Sequence, residues 1–255
     1  MADAEILAIE RAAFEAWPAA EVVPLDGWRL RFNHGVTNRA SSVWPGPGAS
    51  ELSLAARIDA AERFYAERGA AAAFQLSPAA DPAELDVALA ARGYESRSPV
   101  SVETAALAPL TASAGLPDVE ALCAEELSEE WFNLSGRRGR FRSTDAVVYR
   151  ALLERLAGRA GFALVRVGGR AAAVGLGVLA PPWAGVFSML TLPTQRGRRL
   201  GEAVLAAIAA WAQGRGASQA YLQIESDNAA ARRLYARAGF APRYAYHYRR
   251  QAAPR

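Results

Sequence analysis

One pattern occurs twice in this chain, and it limits the possible folds more than any other feature. FYAERGAAAAFQL, a loop and LDVALAARGY in the first half align with AWAQGRGASQAYLQI, a loop and ARRLYARAGF in the second. The glycines keep step, with Gly69 and Gly93 separated by 24 residues and Gly216 and Gly239 by 23. Each copy reads helix, glycine, strand, helix, glycine, aromatic residue, strand. Helical periodicity stops at a glycine, gives way to a short apolar run, and resumes. Alternation of this kind predicts an α/β (α+β) architecture, with mixed sheets covered by helices. Two copies predict internal duplication; chance similarity between two Ala-rich segments is the competing reading.

Composition narrows the chemistry. The 255 residues are 52% apolar, with one cysteine, two histidines and no lysine. A disulfide framework, a multi-cysteine zinc site and lysine Schiff-base chemistry are excluded, and no metal is expected. The net charge of +3 is unevenly shared: residues 1–115 carry −6 and residues 116–255 carry +9. The small-residue stretch ALAPLTASAGLP (106–117) reads as a linker, giving two domains, 1–115 and 116–255. An anionic ligand is expected on the second. The start, MADAEILAIERAAFEAW, is acidic and amphipathic, unlike a signal peptide. The longest apolar stretch, Phe162 to Leu192, is interrupted by Arg166, Arg170 and Pro181-Pro182, so no membrane span and a cytoplasmic protein are expected.

Periodicity and breakers predict helices over 3–17, 50–68 and 82–92 in the first half, with strands over 27–33, 36–44, 72–76 and 99–104. In the second half they predict helices over 117–132, 144–157, 199–213 and 229–238. Strands are expected over 163–167, 171–178, 186–192, 219–225 and 244–249.

The chemistry concentrates in VFSMLTLPTQRGRRLGEAVLAAIAAWA, residues 186–212. A strand runs into an Arg- and Gly-rich turn that opens directly into a helix. The first amides of that helix have no intrahelical acceptor and the dipole there is positive. Arg196, Arg198 and Arg199 add charge, while Gly197 and Gly201 let a ligand approach the backbone. A pyrophosphate cradle and a solvated surface turn both fit this segment taken alone. Neither the P-loop nor the GxGxxG pattern is present.

A second motif follows the strand AYLQIES. NAAARRLYARAGF, residues 228–240, holds Asn228, Ala231, Leu234, Tyr235, Gly239 and Phe240 at fixed spacing. Together with TQRGRRLG it resembles the GNAT superfamily of acyl-CoA-dependent N-acetyltransferases over about residues 118–250. The ending YAYHYRR resembles a subgroup with tandem GNAT-like halves, the first degenerate. The resemblance implies acetyl-CoA as co-substrate and a small-molecule or peptide amine as acceptor. It also implies that the backbone of Leu190, Thr191 and Leu192 pairs with pantetheine, beside a bulge whose amide serves the thioester carbonyl. Arg196, Gly197, Arg198, Arg199, Leu200 and Gly201 would hold pyrophosphate, Asn228 the pantetheine arm, and Tyr235 would protonate the departing thiolate. A packed helix aromatic is the other reading of Tyr235.

Two positions depart from the family pattern. Arg199 stands where the loop usually has glycine, and Gln223 stands where ribosomal-protein-type relatives have a glutamate base. A carboxamide accepts no proton at neutral pH. Glu225, two residues along on the same strand face, is a candidate base, with a water relay or a merely solvated carboxylate as alternatives. In the first half the corresponding positions are stripped: Leu89 stands opposite Tyr235, Pro82 opposite Asn228, and GPGASELSL (46–54) contains no arginine. That half is expected to be structural.

The loop LSGRRGRFRS carries Arg137, Arg138, Arg140 and Arg142 beside Trp131 and Phe132. By resemblance it lines the acceptor site; a solvated loop is the plain alternative. Three functions therefore compete: acetyl transfer, acyl-CoA binding without turnover, and Arg-rich nucleic-acid binding. The last is disfavoured because the arginines sit on ligand motifs rather than in one stripe.

Overall fold

A computed structural model of the chain describes residues 4–111, 116–136 and 143–251. It divides into two compact units, 1–101 with 244–255, and 102–243.

The first unit opens with helix α1 (Ala4–Glu15), followed by strands β1 (Glu21–Leu25), β2 (Trp28–Phe32) and β3 (Val43–Trp44). Then come α2 (Leu54–Ala66), β4 (Ala73–Leu76), α3 (Leu85–Ala91) and β5 (Glu95–Ala106). β1 and β2 form a hairpin with Leu25 opposite Trp28. Its turn is Asp26-Gly27, both at positive φ (45° and 91°), the conformation that Asp-Gly favours in tight hairpins. The predicted strands over 27–33 and 36–44 place a turn at Asn33-His34-Gly35, but the tight hairpin turn is at the Asp-Gly pair, the stronger signal. β3 runs parallel to β4, joined by α2, whose Ser53 accepts from the Ala56 amide as N-cap. Trp28, Phe74, Ile58, Tyr65, Leu85 and Leu89 form the core.

A buried polar network crosses this unit. Glu10 on α1 accepts from the Tyr244 hydroxyl at 2.5 Å, from Trp44 Nε1 at 3.3 Å and from Gln75 Nε2 at 3.3 Å. Arg31 donates to the Ser42 carbonyl and hydroxyl and to Gln75 Oε1. Burial pushes the Glu10 carboxyl above its ordinary range, against the Tyr244, Trp44 and Ser77 hydrogen bonds and the Arg31 charge.

The second unit continues with α4 (Leu107–Thr111), β6 (Val119–Ala124), α5 (Glu129–Gly136), α6 (Ser143–Glu154), β7 (Ala160–Val167), β8 (Arg170–Ala180) and β9 (Trp183–Thr191). A short 3₁₀ turn (Pro193–Gln195) leads to α7 (Leu200–Gln213), β10 (Gln219–Glu225), α8 (Ala229–Arg237) and β11 (Ala241–Arg250). The strand order within this unit is β5-β10-β9-β8-β7-β6. β6 to β9 are antiparallel, and β9 and β10 are parallel, joined by α7. The antiparallel run into a parallel strand–helix–strand thus repeats the order of the first unit.

α7 buries Leu200, Val204, Leu205, Ile208 and Trp211 against the sheet. It approaches so closely at Gly175 that a Cβ there would lie 2.5 Å from Val204 Cγ1 and 2.6 Å from Met189 Sδ. The opposite face carries α5, whose fully buried Trp131 donates Nε1 to the Ala163 and Gly175 carbonyls at 3.0 and 3.1 Å.

Three expectations change. Residues 117–132 are not one helix: Val119–Ala124 is a strand, paired with β7 from Val119↔Val167 to Ala124↔Phe162. Main-chain pairing at a sheet edge overrides the local helical period, and Leu122 is left 62% exposed. The first part of the linker is α4, which buries Leu107 and Leu110 along α7. The compact units also differ from a cut at 115/116, because β5 ends inside the second unit and β11 ends inside the first. β11 residues 247–250 pair antiparallel with β4 (His247↔Leu76), while Leu107 N donates to the Ser218 carbonyl just after β5.

Candidate functional site

β9 and β10 point the same way, so their C-terminal ends and the starts of the helices that follow lie at one edge of the sheet. The two strands pair only from Trp183↔Gln219 to Val186↔Leu222. Beyond that point β9 runs on to Thr191 and β10 to Glu225, so the pair opens and leaves main-chain groups without a strand partner. Ligands of parallel sheets collect where such ends diverge.

β9 is irregular where it opens. Phe187 faces Leu176 and Leu190 faces Val174, so Ser188 and Met189 stand opposite the single residue Gly175. Ser188 has φ +49°, which makes it the left-handed first residue of a β-bulge, a position that usually takes glycine. Past the bulge, the Leu192 amide donates to the Ala172 carbonyl at 2.9 Å. Strand alternation then turns Leu190 and Leu192 toward β8 and Thr191 toward the open edge.

The turn after β9 carries exposed arginines beside its main-chain amides. Among the described residues, no backbone carbonyl accepts from the amides of Gly197 to Gly201. Gly197 has φ +78° with open space around it. Arg196 and Arg198 are exposed, and Arg198 Nη1 donates to Gln195 Oε1 at 2.7 Å. Gly201 has a packing role too: a Cβ there would lie 2.8 Å from Leu234 Cδ2 of α8. Arg199 sits at φ +58° and caps α7, and its side chain meets Glu202 Oε2 at 2.7 Å through Nε.

β10 presents two faces. Ala220, Leu222 and Ile224 join the core under α7, which turns Tyr221, Gln223 and Glu225 to the other face. Phe187 shares that face, edge-on to Tyr221 at 6.0 Å. Both polar atoms of Gln223 are buried and have no hydrogen-bond partner among the described residues. A carboxamide left this way costs about 1–3 kcal/mol for each missing bond, so a ligand or water is expected on it. Glu225 is exposed at the strand end.

Asn228 is the N-cap of α8, its Oδ1 accepting from the Ala231 amide at 3.2 Å. About two turns later, Tyr235 is 8% exposed and packs edge-on against Phe240 at 5.8 Å. Leu200 at the start of α7 and Ile224 at the end of β10 belong to the same cluster.

On the acceptor side the outcome is mixed. Trp131 was expected to line the site; it is instead fully buried, because its indole N–H is needed by two sheet carbonyls. Phe132 stacks on Tyr149 at 6.0 Å, with the Arg150 guanidinium 3.9 Å from its centroid. Arg137, Arg138, Arg140 and Arg142 lie outside the described residues. Tyr149 and Ser188, whose hydroxyls are 2.8 Å apart, were not singled out from the sequence; a contact across 39 residues leaves no local signal. Among the described residues no group of three or more potential ligands could hold a metal, and no helix is long and apolar enough to cross a membrane. Burial pushes the thiol of the single Cys123 up to about 12.

Comparison with known proteins agrees with this geometry. Residues 3–249 match the family described as "Probable histone acetyltransferase Rv0428c C-terminal". The Bacillus subtilis (strain 168) protein named uncharacterized N-acetyltransferase YobR is 29% identical over 248 residues, which is 96% of this chain and 98% of that one. The probable histone acetyltransferase Rv0428c of Mycobacterium tuberculosis is 28% identical over 226 residues, 87% of this chain and 66% of its own. A GCN5-related N-acetyltransferase from Kribbella flavida shares the fold with a TM-score of 0.74 at 18% identity, over 98% of this chain and 95% of that one. A tandem GNAT protein from the clavulanic acid biosynthesis pathway shares it at 0.62 and 16% identity, over 79% and 70%. With the opened strand pair, the bulge and the Arg/Gly turn already in place, the chain belongs to the Rv0428c C-terminal family and is an acetyltransferase of the GNAT type.

Proposed function

We propose that the chain transfers an acetyl group from acetyl-CoA to a primary amine, by direct attack in one ternary complex. The observation that carries this reading is the parallel pair that opens after Val186↔Leu222, with a bulge on one strand and an unfilled row of amides just beyond it. An acyl pantetheine is a linear chain of amides ending in a diphosphate, and it fits an open strand edge leading to a helix start.

Thr191 on the open edge of β9 pairs with the pantetheine amides, next to Leu190. The Leu192 amide is already engaged by the Ala172 carbonyl and the Leu192 carbonyl by the Gln195 amide, so Leu192 contributes its side chain. The pyrophosphate takes the amides of Gly197 to Gly201 and the charges of Arg196 and Arg198. Asn228 keeps its carboxamide N–H for the pantetheine arm while its oxygen caps α8. A bulge amide stabilises the developing oxyanion, a contribution of roughly 2.7–4 kcal/mol in other acyl transfers.

The amine lone pair attacks the thioester carbonyl, the C–S bond breaks, and Tyr235 gives its proton to the leaving thiolate. The proton lost by the amine goes to Glu225 directly or through a water. Gln223 accepts none; it holds the amine or that water by hydrogen bonds from the same strand face. The first unit carries no acyl-CoA site in this reading, because Leu89 and the arginine-free 46–54 stretch replace the acid and the phosphate turn.

A second reading, acyl-CoA binding without turnover, draws on Gln223 in place of a carboxylate. A panel of primary amines separates the two, from polyamines to lysine peptides; the histone named for the Mycobacterium relative belongs in it. Amine-dependent release of free thiol from acetyl-CoA supports transfer. CoA binding with no thiol release from any amine supports the second.

A further inference from the structure

Tyr149 and Ser188 are joined where β9 bends. The Tyr149 hydroxyl on α6 lies 2.8 Å from Ser188 Oγ, and Tyr149 is only 3% exposed. Ser188 holds a left-handed backbone at the position where a bulge ordinarily takes glycine. A residue other than glycine is disfavoured there and persists only where its surroundings hold it. The Tyr149 hydroxyl is one such restraint, and its ring is itself fixed by stacking on Phe132, over which Arg150 lies 3.9 Å from the centroid. Arg150 in turn meets Glu129 at 2.8 Å, which ties α6 back to α5. The chain thus accepts a strained backbone at Ser188 and gains a hydroxyl anchored to a rigid aromatic stack.

We propose that Tyr149 is a positioning residue for acetyl transfer: through Ser188 it sets the β9 bulge, and with it the amide that meets the thioester oxygen. The role rests on the acetyl-transfer reading above. An amide aimed at the oxyanion stabilises the transition state more than bound acetyl-CoA, so a loosened bulge lowers kcat and leaves KM nearly unchanged. A displacement on the order of 1 Å at such a group costs up to about 100-fold.

Ser188→Gly separates this role from a structural one. Glycine suits φ +49° better than serine, so the variant relieves backbone strain while removing the anchored hydroxyl. With the full chain and acetyl-CoA, Ser188→Gly is expected to keep or raise the melting temperature. It should leave KM for acetyl-CoA within about twofold and lower kcat about 10- to 100-fold. Tyr149→Phe keeps the ring stack and should lower kcat to the same extent. The double variant should be no slower than the slower single variant, because both lose one interaction. Wild-type kcat in Ser188→Gly, or losses that multiply in the double variant, would overturn the role while acetyl transfer stands. Absence of thiol release from the wild-type chain with every amine would overturn acetyl transfer itself, and the role with it.

Discussion

Arg199 turns back onto Glu202. Its Nε and Nη2 lie 2.7 and 2.6 Å from Glu202 Oε2, and Arg237 approaches the other carboxylate oxygen at 3.6 Å. The family position usually held by glycine therefore carries a side chain that has left the mouth of the turn. Its backbone still keeps the glycine conformation, at φ +58°.

Arg199→Gly is accordingly expected to stabilise the chain. It removes a left-handed residue with a side chain, worth roughly 1–2 kcal/mol, and loses an ion pair worth about 1 kcal/mol, whose Arg199 end is exposed and whose mostly buried Glu202 carboxylate keeps Arg237. Glycine is also the better residue at a helix N-cap. Thermal melting should rise by a few degrees at most, and calorimetric affinity for CoA should stay within a few-fold. A large loss of CoA affinity would mean that Arg199 leaves Glu202 for a phosphate when ligand binds.

Arg196→Ala should weaken CoA much more than pantetheine. A charge-assisted hydrogen bond to phosphate contributes about 1.5–3 kcal/mol, or roughly 10- to 150-fold in affinity. Titrating both ligands by calorimetry checks this, and equal losses would place Arg196 away from the phosphates.

Tyr235→Phe keeps the ring against Phe240 and removes only the hydroxyl. If that hydroxyl protonates the thiolate, turnover falls by roughly 10²–10⁴-fold while CoA affinity changes little. Steady-state kinetics beside a binding titration read both quantities. Intact turnover in Tyr235→Phe with collapse in Glu225→Gln would move the rate-limiting proton to the amine.

Glu10→Gln tests the polar network of the first unit. Burial raises the native carboxyl above its unfolded value near 4.5, so the native state holds that proton more tightly. Its favourable contribution is complete below the unfolded value and is lost as pH rises through the higher native one. The stability of the wild type relative to Glu10→Gln should therefore decline with rising pH across that window. Denaturant titrations at a series of pH values measure it, and a difference that grows with pH would reverse the assignment.

Most of the candidate site could be read locally. The predicted strand 219–225 matches β10, and the predicted helices 199–213 and 229–238 differ from α7 and α8 by one residue at one end. Each is bounded by its own breakers and caps: Gly214 and Gly216 close α7, and Asn228 opens α8. What local pattern missed was decided across the chain. Val119–Ala124 has a helical period but lies against β7, and Trp131, which reads as a site aromatic beside a basic loop, is taken by two sheet carbonyls.

Local pattern along the chain already carries most strand and helix positions of the second half, the duplicated pattern, the Arg/Gly turn between β9 and α7, and the family resemblance. Those features depend on neighbours within a few residues, where propensity, capping and periodicity act. The folded arrangement set where β9 and β10 part, that Ser188 takes the bulge beside the Tyr149 hydroxyl, and that Arg199 turns to Glu202. It also decided that the strand after α8 pairs with β4. Each of those depends on which strand edges and side chains meet across long stretches of chain. Their energies come from hydrogen bonds and packing that do not exist until the sheet has formed.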